Sequence, residues 1–246
     1  MNQSNQELPE PLDVIAVGAH PDDVEIACGG TLAKLVSQGY RVGIIDLTDG
    51  EPTPNSPGPE TRLAEAQAAA KTLGVQERIQ LDLPNRRLFD CFETRVALAT
   101  EFRRWRPQMV LGFGAKTPMA SPDHWQAMQI TDAAIFYSRL TKWDQYFGRL
   151  PVHIIVRHLY YRLAVEPDTI SGYTHHLTVD VTGTIDAKLA SIECYQTQFS
   201  HKPGILERVR AAATVTGAAA GCAAGESFAV AKPFAVNDLI ATVMGK

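Results

Sequence analysis

DVIAVGAHPDDVEIACGG, residues 13–30, is the stretch that decides the predicted fold. Residues 13–19 form a short apolar run that is rich in β-formers and ends in small residues, which predicts a buried strand. Residues 29–38 then predict a helix that Gly39 closes. A strand followed by a polar turn and a helix is the first unit of an α/β protein.

The same unit repeats through the next part of the chain. The predicted elements alternate, in chain order, as strand 41–48, helix 61–73, strand 79–83, helix 92–105, strand 109–113 and helix 122–140. Alternation of this kind favours right-handed crossovers, which produce a parallel sheet covered by helices on both faces. The expected fold class is therefore α/β, a Rossmann-like three-layer sandwich with a mostly parallel sheet.

The last third of the chain is less regular. Strands are predicted at 153–163 and 177–181, and a helix is predicted at 185–198. The Ala/Gly-rich stretch 209–224 predicts a tightly packed helix that Gly217 and Gly221 interrupt. An α/β chain of 246 residues commonly forms one domain, so a single domain over 1–246 is expected.

Composition excludes several classes of protein. The chain is 45% hydrophobic and 20% charged, as is usual for a soluble globular protein. A net charge of -4 without a dense Lys/Arg run argues against nucleic acid as a partner. The N-terminus lacks the pattern of a signal peptide and no apolar run approaches the roughly 20 residues of a membrane span, so we expect a cytoplasmic protein. The cysteines are scattered, which suits reduced thiols: Cys28, Cys91, Cys194 and Cys222.

A proline-rich loop, DGEPTPNSPGPE at residues 49–60, follows the second predicted strand. Its four prolines exclude a helix or a central strand, so it must lie on the surface. It leaves the carboxyl end of a strand, which is the edge of an open α/β sheet where ligands bind.

Two polar turns follow predicted strands and lie at that same edge. AHPDD at 19–23 follows the first strand, and SPDH at 121–124 follows the strand 109–113. Two imidazoles and a carboxylate with one open position form the ligand set of a catalytic zinc, and His20, Asp23 and His124 fit that count. Asp22 is then free to take a proton from the bound water, whose pKa the ion lowers to roughly 7.

The residues alone leave a structural alternative open for each of these side chains. Asp22 or Asp23 can cap the following helix, and His20 can be a satisfied core histidine. Ser121 with Pro122 makes a good helix start, and His124 can be an ordinary residue of the helix surface.

AHPDD followed by VEIACGGTLA, together with SPDH, resembles the PIG-L, or LmbE-like, family of zinc-dependent N-acetylglucosaminide deacetylases. Further blocks resemble the branch of that family that acts in bacillithiol biosynthesis: IDLTDGE at 45–51, TRLAEAQAAAKTLGV at 61–75, LDLPNRRL at 81–88, YQTQF at 195–199 and GESF at 225–228. The resemblance covers nearly the whole chain. It implies removal of an N-acetyl group from a small N-acetylglucosamine conjugate such as N-acetylglucosaminyl-malate, in an enzyme that forms homo-oligomers.

Carried over by position, the resemblance implies a role for each matching residue. His20, Asp23 and His124 are the expected zinc ligands, and Asp22 is the expected general base. Arg62 matches an arginine that helps to hold the substrate; without the resemblance, it would be a solvated charge on an alanine-rich helix. Ligands of this kind discriminate weakly between metals, so iron or another divalent ion is an alternative to zinc.

Ser121 departs from the family pattern, which has a histidine three residues before the second metal-binding histidine. Serine donates a hydrogen bond, and we count Ser121 as a substrate-binding residue, but it cannot carry a proton near neutral pH as imidazole does. Loss of that group can cost on the order of 100-fold in rate. His175 and His176, in the loop SGYTHH, are possible substitutes, although exposure to solvent is the expected state of both.

Two other functions follow from these features. The departure at Ser121 motivates a catalytically weakened relative that holds zinc and binds a sugar. The predicted fold alone motivates a nucleotide-binding Rossmann enzyme. No G-x-G-x-x-G follows the first strand, however, and the carboxylate-rich turn at that place repels phosphate.

Overall fold

The chain folds around a seven-stranded sheet of order β3-β2-β1-β4-β5-β7-β6 in a computed structural model that describes residues 8–165, 175–238, 240 and 242. The strands are β1 (Val14–Gly18), β2 (Val42–Asp46), β3 (Glu77–Gln80), β4 (Met109–Phe113), β5 (Arg157–Tyr161), β6 (His176–Asp180) and β7 (Gly225–Val230). Strands β3, β2, β1, β4 and β5 run parallel, and β7 is antiparallel to both β5 and β6. The expected α/β class with a mostly parallel sheet is confirmed.

Helices cover the sheet. They are α1 (Asp23–Ser37), α2 (Pro59–Leu73), α3 (Phe92–Trp105), α4 (Asp123–Tyr137), α5 (Asp144–Phe147), α6 (Ile185–Glu193), α7 (Gln196–Phe199) and α8 (Ile205–Ala220). Helices α1, α2 and α6 pack together in one layer, and α3 packs with α4 in the other. Among the described residues, no helix combines the length and the apolar character that crossing a bilayer requires. The expectation of a single domain stays a prediction.

The centre of the sheet is the most deeply buried part of the fold. All residues of β1 and β2 are buried, because helices cover both faces of these central strands and only apolar or small side chains fit there. β1 lies between β2 and β4, so the loops that follow these strands share one edge of the sheet.

Helix α1 begins at Asp23, so the prediction that it begins at residue 29 is wrong. Gly29 and Gly30 lie inside the helix, next to a kink at Cys28, whose φ is -140°. At the kink, the backbone N–H groups of Gly30 and Thr31 donate to the Glu226 carboxylate at 3.0 and 2.7 Å. A buried side chain therefore replaces the helical partners that the kink removes, and the helix continues through the glycines.

That carboxylate belongs to a buried ion pair. The Lys188 ammonium lies 2.6 Å from a Glu226 oxygen and also donates to the Ala27 carbonyl at 3.2 Å. Since Lys188 is on α6 and Glu226 is on β7, the pair connects the last third of the chain to α1.

Two elements predicted in the last third have other bounds in the structure. The strand predicted at 153–163 is limited to β5, and the helix predicted at 185–198 is two helices, α6 and α7. The break lies at Tyr195, which is fully buried and donates from its hydroxyl to Glu25 at 2.9 Å, so tertiary contacts override the helical pattern there. Strand β7 and the short helix α5 were not predicted.

Gly217 does not interrupt α8, contrary to the prediction, whereas Gly221 ends the helix with a φ of 80°. A Cβ atom on Gly217 would lie 2.8 Å from backbone atoms of Ala224. The absence of a side chain at Gly217 therefore lets α8 lie directly against the chain that enters β7.

We predict that Gly217→Ala lowers the free energy of unfolding by about 1–3 kcal/mol, because the methyl group forces the helix away from the Ala224 backbone. Helix propensity alone predicts the opposite, a gain of about 1 kcal/mol. Urea unfolding measures the difference. Gly183→Ala is the control, since a Cβ atom at Gly183 has no atom within 4 Å, and a stabilised Gly217→Ala protein would contradict the close contact.

Candidate functional site

His20, Asp23 and His124 lie together where β1 and β4 end. One potential ligand atom from each side chain lies within 4.8 Å of the others. His20 belongs to the turn after β1, Asp23 begins α1, and His124 lies in the first turn of α4. Because β1 and β4 pair in parallel, turns about 100 residues apart in sequence meet at one place. The structure thus brings together the three side chains that the sequence predicts as metal ligands.

The Asp23 carboxylate lies at the centre of the cluster. One oxygen accepts the backbone N–H groups of Ala19 and His20 at 3.0 and 2.8 Å, and the other lies 3.4 Å from Nε2 of His124. Burial opposes charge on Asp23, but the imidazoles of His124 and His20 outweigh it and hold the pKa of Asp23 well below its usual value. Asp23 is therefore a fixed, ionised acceptor, and it does not cap α1.

Each imidazole has a second partner that fixes its orientation. Nε2 of His20 lies 3.1 Å from an Asp123 oxygen, and Nδ1 of His124 lies 2.6 Å from the Thr117 hydroxyl. Nδ1 of His20 and Nε2 of His124 then face Asp23, each at 3.4 Å from its carboxylate. Metal-binding histidines typically have one nitrogen on the ion and the other held in this way.

The electrostatics of the cluster favour a bound cation. Burial opposes a charge on His20, but hydrogen bonds to Asp123 and Asp23 outweigh burial and raise the pKa of His20 to about 10. A site that holds a proton this strongly also attracts a metal ion, which can take the place of the proton. Two imidazole nitrogens and a carboxylate oxygen are a donor set that suits zinc or a similar divalent metal.

Asp22 lies beside the cluster in an unusual backbone conformation. Its φ of 117° is in the region that L-residues rarely adopt, and within the described chain its side chain makes no capping hydrogen bond to α1. The capping alternative is therefore wrong for Asp22. Burial raises the pKa of the Asp22 carboxyl to about 7, although the Arg62 charge opposes the rise.

These residues form the floor of a cleft of about 260 Å³. Its walls come from the proline-rich loop through Gly50 and Thr53, and from the segment after β3 through Asn85 and Arg86. A third part of the wall comes from α7 and the loop after it: Gln198, Phe199 and Lys202. A surface groove between α6 and α8 is larger, about 770 Å³, but none of the predicted site residues lines it.

Most of these wall residues were not predicted as site residues. Asn85 and Arg86 lie in the block LDLPNRRL, and Gln198 and Phe199 lie in YQTQF. Both blocks carry the family resemblance, which was the only available signal for them. The proline-rich loop, in contrast, was expected at this edge of the sheet.

Arg62 is buried, with only 1% of its surface exposed, so the alternative of a solvated helix charge is wrong. One nitrogen, Nη2, donates to the Pro21 carbonyl at 2.5 Å. The carboxylates of Asp22, Glu51 and Glu65 each lie 3.7 Å from a guanidinium nitrogen. Arg62 is therefore part of the cleft wall and is surrounded by carboxylates of the protein itself.

Ser121 also lies in the cleft wall. Its hydroxyl accepts the backbone N–H of Asp123 at 3.3 Å, which leaves the hydroxyl proton to donate. His175 and His176, the suggested substitutes for the family histidine, are exposed, and neither lines the cleft. His176 begins β6 and pairs with Ala229.

Comparison with known proteins gives one family and several relatives. Residues 15–135 match the family described as PIG-L, GlcNAc-PI de-N-acetylase. The diacetylchitobiose deacetylase of Thermococcus kodakarensis is 28% identical over 206 residues, which are 79% of this chain and 73% of the relative. The 4-oxalmesaconate hydratase of Pseudomonas putida is 26% identical over 207 residues, 78% of this chain and 76% of the relative.

A solved structure extends the similarity to nearly the whole chain. The conserved protein TT1542 of Thermus thermophilus superimposes with a TM-score of 0.79 at 30% sequence identity. The match covers 93% of this chain and 98% of that protein.

We predict that Asp123→Asn weakens zinc binding about 10- to 100-fold, because the neutral amide is a poorer acceptor for both His20 and the Arg86 backbone N–H. Titration of metal-free protein against a chromophoric chelator measures the dissociation constant. The matched control is Asp132→Asn on the same helix, since Asp132 contacts His158 and Tyr160 instead. Equal zinc affinities for the two variants would contradict the orienting role.

Proposed function

Because the chain belongs to the PIG-L family, we propose that it is a zinc-dependent hydrolase that removes the N-acetyl group from a small N-acetylglucosamine conjugate. The observation that carries this proposal is the cluster of His20, Asp23 and His124 on the floor of a cleft, with Asp22 beside it. The deacetylase relative supports an amide as the bond that is broken.

The proposed ligand atoms are Nδ1 of His20, a carboxylate oxygen of Asp23 and Nε2 of His124. Asp123 and Thr117 hold the other imidazole nitrogens, so both rings would already have the orientation that the metal requires before it binds. When bound, a zinc ion supplies Lewis acidity, which polarises an amide carbonyl and makes water more acidic. Three protein ligands leave a position open for this chemistry.

Asp22 is the proposed base. It lines the cleft next to Asp23 and can accept a proton from the attacking water. Water adds to the acetamide carbonyl, the C–N bond breaks, and Asp22 returns the proton to the leaving amine, so the products are acetate and a free amine. The Ser121 hydroxyl is suited to donate a hydrogen bond to the carbonyl oxygen as its charge increases.

The wall of the cleft supports an anionic group on the substrate. Arg86 and Lys202 are both exposed and both line the cleft, so they can contact a carboxylate. We therefore extend the proposal to an anionic aglycone such as malate, which is the substrate type of the bacillithiol branch. For the protein as a whole, the cytoplasmic location and the homo-oligomeric state stay predictions from the sequence.

Ser121 supports a second candidate function. A chain that lacks the family histidine can retain the metal and the sugar site while losing most of its activity. Binding of an N-acetylglucosaminide without release of acetate would favour this catalytically weakened relative over the deacetylase.

The direct test is release of free amine from a panel of N-acetylglucosaminides that includes N-acetylglucosaminyl-malate and N-acetylglucosamine. The protein is stripped of metal and assayed before and after zinc is restored. We expect turnover only after zinc is restored, and faster turnover of the malate conjugate. No turnover at stoichiometric zinc, or water addition to an unsaturated dicarboxylate without amine release, would contradict the proposal.

We predict that Asp22→Asn lowers kcat by about 100- to 10,000-fold while zinc remains bound, because the amide cannot accept the proton. Metal content by elemental analysis and kcat by amine release are measured on the same sample. Asp82→Asn is the control, since Asp82 is exposed and does not line the cleft. An unchanged kcat in Asp22→Asn would remove Asp22 from the role of base.

A further inference from the structure

Arg62 directs its donor atoms toward the protein. Nη2 donates to the Pro21 carbonyl, and Nε and Nη1 each face a carboxylate, those of Glu51 and Glu65, at 3.7 Å. Nε and Nη1 are shielded from solvent, and neither makes a hydrogen bond within the described chain. A substrate in the cleft therefore cannot reach these two nitrogens without moving the surrounding side chains.

The two facing carboxylates are each held in place by two further hydrogen bonds. Glu65 accepts both the backbone N–H and the hydroxyl of Thr197 on α7, at 2.8 and 2.7 Å. Glu51 accepts the backbone N–H and the hydroxyl of Thr53, at 2.9 and 3.0 Å. The guanidinium of Arg62 thus lies between the proline-rich loop, α2 and α7, and its position is set by all three.

The turn that Arg62 contacts requires external support. Its residue Asp22 has a φ of 117°, a conformation that persists only where the surroundings impose it. Arg62 satisfies the Pro21 carbonyl directly before that residue, and Nη2 lies 3.7 Å from the Asp22 carboxylate. Gly50 permits this approach, since a Cβ atom there would lie 3.0 Å from Nη2 and 3.1 Å from Pro21.

From this geometry we infer that Arg62 is a positioning residue, which holds the turn of His20, Asp22 and Asp23 in its working conformation. The inference adds a role to the one that the resemblance implies for Arg62. Only its catalytic part, the expected loss of rate, rests on the proposed function. Loss of Arg62 releases a turn that contains two of the three proposed metal ligands. Replacement of Arg62 should therefore lower both the affinity for the metal and the catalytic rate.

The test compares Arg62→Met with the wild-type protein in zinc affinity, kcat and KM. We expect zinc to bind about 10- to 100-fold more weakly, in line with other residues that orient metal ligands. At saturating zinc we expect kcat to fall by at least about 10-fold. Arg62→Lys should resemble Arg62→Met, because one ammonium cannot reach the Pro21 carbonyl and both carboxylates.

Arg103→Met is the matched control for loss of a buried arginine. Arg103 is also fully buried, but it donates to the Leu140 carbonyl and lies over the Phe147 ring, and it does not line the cleft. We expect it to lower the urea midpoint without changing zinc affinity. Equal losses of zinc affinity in Arg103→Met and Arg62→Met would show general destabilisation and overturn the inference.

Unchanged zinc affinity with a raised KM in Arg62→Met would identify Arg62 as a substrate contact alone, and this result would also overturn the inference. If Arg62→Met does not fold, Glu65→Gln tests the same contact, because it keeps Arg62 but removes the charge and one of the two acceptors that Thr197 uses. We then expect a smaller loss of zinc affinity, and no loss overturns the inference. Zinc affinity needs no substrate, so this result stands even if the panel shows no deacetylation.

Discussion

The parallel pairing of β1 with β4 is the contact on which the candidate site depends. It joins Val14 to Met109 and Ala16 to Leu111, and so places the turn after β1 beside the turn after β4. The first turn supplies His20 and Asp23 and the second supplies His124, and neither turn alone contains a metal site. The loops that follow β2 and β3 end at the same edge and become the walls of the cleft.

The buried charges around the cleft also determine the structure of the candidate site, because each buried carboxylate needs a specific partner. Asp23 and Asp123 face imidazoles, and Glu51 and Glu65 face Arg62. Behind them, the Arg78 guanidinium contacts both Asp46 and Glu25, and Tyr195 donates to Glu25 as well. The site therefore rests on a rigid array of opposite charges, which keeps the ligand atoms in place and leaves a strong preference for one further positive charge.

The sequence predicted the parts of the fold that local pattern controls. Helix α3 and strand β4 have the predicted bounds, because apolar periodicity and Pro107 define them locally. The start of α1 was missed, because its kink is satisfied by Glu226, about 200 residues further along the chain. Burial of Arg62 and the buried break at Tyr195 were missed for the same reason, because Arg62 donates to Pro21, 41 residues earlier, and Tyr195 donates to Glu25, 170 residues earlier. Polar turns after strands predicted the cluster of His20, Asp23 and His124, whereas no local pattern predicted that α7 lines the cleft.

The place of β7 in the sheet bears on the order in which the protein assembles during synthesis. β7 lies between β5 and β6, and in the described sheet β6 pairs with no other strand. β6 can therefore join the sheet only after the ribosome has released β7. The same strand brings Glu226 to the kink in α1, so a nascent chain contains its proposed metal-binding turns long before the carboxylate that accepts the N–H groups at the kink. The site should thus mature late in translation, although the last of its proposed ligands, His124, is made about 100 residues before Glu226.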